Sequence, residues 1–96
     1  MAIQTVGIIG AGTMGNGIAQ ACAASGIDAV MQDVSDAALE RGVKTVSASL
    51  DRSVRKGSID EARKQEILSR IRATTRADDL AAVDLVIEAA TENEEL

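Results

Sequence analysis

The sequence has 96 residues, of which 46% are hydrophobic and 26% charged, a composition typical of one small soluble domain. No apolar run approaches the roughly 18 residues of a membrane span, and a single cysteine, Cys22, excludes an internal disulfide and favours a reducing, cytoplasmic compartment. With no histidine, no aromatic residue and a net charge of −5, the chain lacks the groups of a zinc site, a serine triad or a nucleic-acid surface.

Charge is unevenly distributed along the chain. All ten Lys and Arg lie between Arg41 and Arg76, together with four acidic residues. The first forty residues hold four acids and the last twenty hold seven, without a base in either segment. A basic middle could attract a phosphate-bearing ligand, although a solvated helical face explains it as well.

The first predicted element is a strand over residues 3–9, because a β-branched run there stops at Gly10. The six residues GAGTMG that follow match the pattern G-x-G-x-x-G through Gly10, Gly12 and Gly15. Small residues then continue to Gly26, which predicts a helix that can lie close to a sheet. A strand before this pattern and a helix after it are the context in which it binds a dinucleotide.

Each of the three glycines has its own physical reason in such a turn. Gly10 would let the chain leave the strand sharply, Gly12 would let a pyrophosphate approach the backbone, and Gly15 would let the helix pack against the sheet. The helix start would then offer N–H groups and a partial positive charge to the phosphates.

A second strand is predicted over residues 27–34, with Asp33 near its end, 18 residues after Gly15. The Asp33 carboxylate could bond the adenosine ribose hydroxyls and would repel a 2′-phosphate. No Lys or Arg precedes Arg41 to bind such a phosphate, so NAD is favoured over NADP. A solvated acid at a strand end is the alternative for Asp33.

Two helices are predicted next. The first covers residues 36–56, with Ser35 as its N-cap and Gly57 at its end. The second covers residues 58–71, where Ser58 and Glu61 have the spacing of a capping box.

The last predicted elements are a brief strand over 72–75, a short connecting helix over 76–83 and a buried fourth strand over 84–90. This order predicts an α/β fold: the N-terminal portion of a Rossmann-type doubly wound parallel sheet, with a helical hairpin inserted after strand two. The first strand is expected in the centre, strands two and three on one side of it, and strand four on the other. A ligand would bind at the carboxyl ends of strands one and four.

Polar residues follow the fourth strand at that crevice. Glu92 could face the nicotinamide half of the cofactor. Alternatively, Thr91 and Asn93 cap the next helix and Glu92 favours its dipole. Spacing alone leaves both interpretations open.

Three segments, GAGTMGNGIAQACAASG, QDVSD and DLVIEAATENEEL, together resemble the NAD-binding N-terminal domain of the 3-hydroxyacyl-CoA dehydrogenase family, nearest to its bacterial 3-hydroxybutyryl-CoA members. The resemblance runs from Val6 to Leu96. It implies hydride transfer between NAD and a (3S)-3-hydroxyacyl-CoA in fatty acid metabolism, by a homodimer that needs no nucleic acid, membrane or metal.

The resemblance also implies roles for single residues. The residues that correspond to the family's NAD contacts are Gly10, Ala11, Gly12, Thr13, Met14, Gly15, Asp33 and Glu92. Ser49 and Lys56 correspond to its coenzyme A contacts, with Arg52 and Arg55 as alternatives.

The family's catalytic histidine, its partnering glutamate and its C-terminal helical domain correspond to positions beyond residue 96. We therefore expect residues 1–96 to be the N-terminal part of a Rossmann domain, with no catalytic residue and no dehydrogenase activity of its own. Two alternatives remain: a non-catalytic dinucleotide-binding module, and the dehydrogenase part of a bifunctional fatty-acid oxidation protein.

Overall fold

The computed structural model describes residues 3–89, which form a four-stranded parallel sheet with helices packed against it. The elements follow one another as β1 (Thr5–Ile9), α1 (Thr13–Ala24), β2 (Asp28–Gln32), α2 (Asp36–Lys56), α3 (Glu61–Ser69), β3 (Ile71–Thr74), a 3-10 helix (Ala77–Leu80) and β4 (Leu85–Glu88). Within these residues, no helix is both long enough and apolar enough to cross a membrane.

The strand order is β3-β2-β1-β4, with every neighbouring pair parallel. Ile8 at the centre of β1 lies opposite Met31 of β2 on one side and Ile87 of β4 on the other. The predicted order, with β1 central, β2 and β3 on one side of it and β4 on the other, is confirmed. The carboxyl ends of β1 and β2 therefore lie side by side at one edge of the sheet.

The core consists of two clusters. The larger one lies between the sheet and α1 and includes the fully buried Ile8, Ala19 and Met31. The smaller one joins α2 and α3 through Val46 and Ile67. Alanines at the interface let α1 lie close to the sheet, as the small-residue pattern predicted.

The predicted ends of α2 are confirmed. The Ser35 hydroxyl accepts a hydrogen bond from the Ala38 N–H at 3.1 Å, which satisfies a donor of the first turn. Gly57 closes the helix in the left-handed conformation, with φ of 81°, a region that glycine occupies without strain.

The predicted capping box of α3 is wrong. Asp60 is the N-cap, and its carboxylate accepts the Arg63 N–H at 2.8 Å. Ser58 belongs instead to the end of α2, because its N–H donates to the Ser53 carbonyl at 3.0 Å. Ser58 and Glu61 have the right spacing, but the Ser53 carbonyl already accepts the Ser58 N–H, and α3 begins at Glu61.

The prediction of a buried fourth strand is also wrong. Leu85 is 44% exposed and Val86 is 46% exposed. β4 lies at the sheet edge with only β1 beside it in the described residues. In the segment before β4, Leu80 and Val83 lie over Gly7 of β1.

Candidate functional site

The turn between β1 and α1 is tightly folded. Gly10 has a φ of 109°, which an L side chain rarely adopts, and its N–H donates to the Gln32 carbonyl at the end of β2 at 2.7 Å. A Cβ on Gly15 would lie 1.9 Å from the Gly10 carbonyl oxygen. The first and third glycines of the motif therefore allow α1 to begin directly against the exit of β1, as predicted.

The start of α1 has no side-chain cap among the described residues. Gly12 is its N-cap and has no hydroxyl or carboxylate to accept the first N–H groups. Thr13 and Met14 in the first turn are exposed. The Asn16 side chain donates to the Gly12 carbonyl at 2.7 Å, so this bond does not involve the backbone N–H groups of the first turn. First-turn N–H groups without a cap are what an anion binds at a helix start.

The half-buried Asp33 carboxylate lies against this turn. One oxygen accepts the Ala11 N–H at 3.1 Å and the other accepts the Ser35 N–H at 3.0 Å. A carboxylate has about four lone-pair sites, so two remain for other donors. The structure therefore brings Asp33 and the glycine turn together, and Asp33 links the turn to Ser35, the N-cap of α2.

The sequence did not predict the contact between Gly42 of α2 and this turn. A Cβ on Gly42 would lie 2.8 Å from the Ala11 carbonyl oxygen and 3.3 Å from the Met31 methyl carbon. The available signal was glycine inside a helix, which costs about 1 kcal/mol relative to alanine and so points to a packing reason.

Ser49 and Lys56 lie on α2, seven residues apart and therefore on similar faces of the helix. The Ser49 hydroxyl accepts a hydrogen bond from the Gln20 side chain of α1 at 3.0 Å. Lys56 is exposed in the last turn. The structure leaves the two side chains separate, two helical turns apart, with Ser49 beside α1.

The structure divides the basic middle of the chain into two groups. Five residues between the start of α3 and the segment after β3 are in ion pairs: Arg63, Lys64, Arg70, Arg72 and Arg76. Five on α2 have no ion pair with any described residue: Arg41, Lys44, Arg52, Arg55 and Lys56. Neither alternative for the basic segment is excluded, and the basic side chains without an ion pair to a described residue all lie on α2.

One ion pair joins the two helices of the hairpin. The Lys64 ammonium lies 2.5 Å from the Asp51 carboxylate. The hydrogen bond to Lys64 lowers the pKa of Asp51, and the same bond raises the pKa of Lys64. These charges are therefore occupied in holding α3 on α2.

Glu92 lies outside the described residues, so its position beside a nicotinamide stays a prediction. Among residues 3–89 no group of three or more potential metal ligands comes together. The described part of the site thus consists of the glycine turn, the uncapped start of α1 and Asp33.

Comparison with known proteins gives consistent matches over nearly the whole chain. Residues 5–96 match the family model for the 3-hydroxyacyl-CoA dehydrogenase, NAD binding domain. A 3-hydroxybutyryl-CoA dehydrogenase of Bradyrhizobium diazoefficiens is 50% identical over 94 residues, which cover 98% of this chain and 32% of that protein. A fatty acid oxidation complex subunit alpha of Idiomarina loihiensis is 41% identical over 91 residues, or 95% of this chain and 13% of that protein.

Among solved structures, the crystal structure of (S)-3-hydroxybutyryl-CoA dehydrogenase from Ralstonia eutropha is similar, with a TM-score of 0.92 and 60% identity. The match covers 97% of this chain and 33% of that one. The chain thus spans about a third of the length of the two 3-hydroxybutyryl-CoA dehydrogenases that it matches.

Proposed function

Because this chain belongs to the 3-hydroxyacyl-CoA dehydrogenase NAD-binding domain family, as its motifs predict, we propose that it is the cofactor-binding part of an NAD-dependent oxidoreductase. The proposed reaction of the whole protein moves a hydride between NAD and C3 of a (3S)-3-hydroxyacyl-CoA, of the 3-hydroxybutyryl-CoA and acetoacetyl-CoA type. Two relatives bearing the name 3-hydroxybutyryl-CoA dehydrogenase support this substrate class. When bound, NAD supplies the hydride acceptor or donor.

The observation that carries the proposal is the uncapped helix start beside the glycine turn. The residues proposed to hold the pyrophosphate, through backbone N–H groups and the positive end of α1, are Gly10, Ala11, Gly12, Thr13, Met14 and Gly15. The Gly10 and Ala11 N–H groups already donate to the Gln32 carbonyl and the Asp33 carboxylate. Because Gly12 caps α1 without a side chain, the first-turn N–H groups of α1 have no side-chain acceptor among the described residues and remain for the phosphates. The chain's own contribution here is binding and orientation.

Asp33 is proposed to select NAD. Its two engaged oxygens keep the carboxylate in place through the Ala11 and Ser35 N–H groups. The remaining lone pairs suit the two adenosine ribose hydroxyls, whereas a 2′-phosphate would meet a negative charge. No basic residue occurs before Arg41 to compensate for that repulsion.

Coenzyme A is proposed to lie along α2. Ser49 and Lys56 carry the contacts implied by the family, and five basic side chains of this helix without ion-pair partners among residues 3–89 support an anionic ligand there. The negatively charged phosphate groups of coenzyme A are attracted to such a cationic surface.

The proton-transfer groups of the reaction lie outside this chain in our proposal. The sequence contains no histidine to act as general base, and Glu92 is proposed only to face the nicotinamide side. The homodimer, the C-terminal helical domain and the cytoplasmic location belong to the same proposal for the whole protein.

A second candidate is the dehydrogenase part of a bifunctional fatty-acid oxidation protein. The 41% identity to the fatty acid oxidation complex subunit alpha favours it. The two candidates share the same NAD site and differ in the activities of the whole protein, so an assay of the intact protein for enoyl-CoA hydration separates them.

The test of the cofactor site is a titration of the chain with NADH and, separately, with NADPH, followed by cofactor fluorescence. The chain has no Trp, Tyr or Phe, so the protein contributes little background. We expect a saturable response to NADH and a much weaker one to NADPH. Equal responses would contradict the role of Asp33, and no response from a folded chain would contradict the whole site.

A matched pair of variants sharpens this test. Asp33→Asn removes the charge that repels a 2′-phosphate while it keeps one oxygen acceptor, so discrimination against NADPH should fall by about tenfold. Asp36→Asn makes the same charge change three residues away, in the first turn of α2, and should leave the discrimination unchanged.

A further inference from the structure

We propose that Gly42 is a positioning residue for the cofactor: by having no side chain, it lets α2 press on the Ala11 peptide and aim the Gly12 N–H at the pyrophosphate. This inference rests on the proposed NAD site and concerns what holds that site in shape. Gly42 lies 27 residues after Gly15, outside the glycine motif.

The contact is one of backbone with backbone. A Cβ on Gly42 would meet the Ala11 carbonyl oxygen at 2.8 Å and the Ala11 side chain at 3.5 Å. Real Cβ atoms do not stay under 3.0 Å from such an oxygen without a shift of one partner. Unlike the tip of a flexible side chain, a carbonyl can move only with its peptide group.

That peptide group joins Ala11 to Gly12. In a planar trans peptide the C=O and the N–H point in opposite directions, so an Ala11 carbonyl held toward α2 turns the Gly12 N–H away from α2. The same peptide unit thus connects the packing of α2 to a donor at the start of α1. Any force on the carbonyl reorients that donor.

α2 cannot withdraw easily from this contact, whereas the Ala11 carbonyl can turn with its own peptide group. α2 is anchored on either side of Gly42 by Leu39 and Val46, both buried in the core clusters. Ala11 is buried and its N–H is held by the Asp33 carboxylate. A methyl group at Gly42 would therefore displace the Ala11 carbonyl by about 0.5 Å rather than push α2 off the sheet.

The test compares Gly42→Ala with Gly17→Ala in the 96-residue chain. Gly17 is also a helical glycine, but a Cβ there meets nothing within 4 Å, so it controls for the change in helix propensity. We expect Gly42→Ala to keep the far-ultraviolet circular dichroism spectrum of the parent chain. It should bind NADH about tenfold more weakly, which is the loss of affinity expected when one charge-assisted hydrogen bond is misaligned. Gly17→Ala should bind NADH like the parent chain.

Amide spectroscopy gives a readout that a general loss of stability would not move. In the cofactor-free chain, Gly42→Ala should shift the Gly12 amide resonance and speed exchange of the Ala11 N–H, while the Ala29 N–H in the sheet stays protected. Unchanged NADH affinity in Gly42→Ala would overturn the proposal while the NAD site stands. A Gly42→Ala chain that does not fold would assign Gly42 to the fold and overturn it too, and a parent chain that binds no NADH would overturn both proposals.

Discussion

Gly15→Ala probes the contact between the start of α1 and the exit of β1. The added methyl carbon would lie 1.9 Å from the Gly10 carbonyl oxygen and 2.8 Å from its carbon. To relieve this clash, the start of α1 and the exit of β1 would have to move apart by more than about 1 Å, since non-bonded carbon contacts lie near 3.5 Å. Because Ala19 and Ala23 of the same helix are fully buried, this movement opens packed contacts along α1.

The magnitude follows from two opposed effects. Overpacking against rigid backbone costs about 3 kcal/mol or more, and replacement of a helical glycine by alanine returns up to about 1 kcal/mol. Gly15→Ala should therefore lower the free energy of unfolding by about 2–3 kcal/mol, which moves the urea midpoint down by about 1–2 M.

Urea unfolding of the two variants is best followed by far-ultraviolet circular dichroism, because the chain has no aromatic residue for fluorescence. Gly17→Ala is the control: the same chemical change, two residues away in the same helix, with nothing within 4 Å of the new methyl. It should stabilise the chain by up to about 1 kcal/mol. If both variants unfold at the same urea concentration, the close approach of α1 to Gly10 does not limit the fold.

Three further predictions concern charge and reactivity. Lys64→Met should destabilise the chain most at neutral pH, where both partners of the ion pair with Asp51 are charged. The pKa of Asp51 is lowered, so its contribution to stability is lost as pH falls below 3.8, and the pKa of Lys64 is raised, so its contribution is lost only above 10.5. Unfolding curves of the variant and the parent chain across pH would show this dependence. Burial raises the pKa of the Cys22 thiol, so iodoacetamide should alkylate it on the order of tenfold more slowly in the folded chain than in urea, and equal rates would contradict this. Lys56→Gln should weaken coenzyme A binding severalfold in calorimetry. An equal effect of Lys44→Gln would contradict a specific contact of Lys56 and indicate attraction by the overall positive charge of α2.

The parts of the fold that the sequence predicted well are those governed by local chemistry. The glycine turn follows from the conformation that Gly10 must adopt, and the α2 ends follow from the Ser35 hydroxyl and the left-handed Gly57. The strand order also followed, because the alternation of strands and helices leaves few ways to connect a parallel sheet.

The parts that it missed depend on distances between elements. Ser58 and Asp60 both have the chemistry of an N-cap, and only the hydrogen bond from Ser58 back to α2 decides between them. Exposure of Val86 depends on what lies beside β4, which no local pattern encodes. The close packing of Gly42 was missed because the atom that it accommodates, the Ala11 carbonyl oxygen, is 31 residues earlier.

At the candidate site, the sequence identified Asp33 but not its hydrogen bond to the Ala11 N–H. A pattern of residue types predicts which side chain stands at a strand end, whereas the direction of a carboxylate depends on the backbone that it faces. The same holds for Ser49, whose bond to Gln20 requires two helices to cross at one point.

Gly42, Ser49 and Lys56 stand seven residues apart on α2, so they form a line along one side of the helix that drifts by only about 20° at each step. The residue proposed to position the cofactor and the two residues proposed to contact coenzyme A thus share one side of this helix. Insertion of one residue between Gly42 and Ser49 would swing Ser49 and Lys56 through about 100°. A change to the proposed coenzyme A contacts therefore has to preserve the residue count inside α2, so that Ser49 and Lys56 keep their direction relative to Gly42.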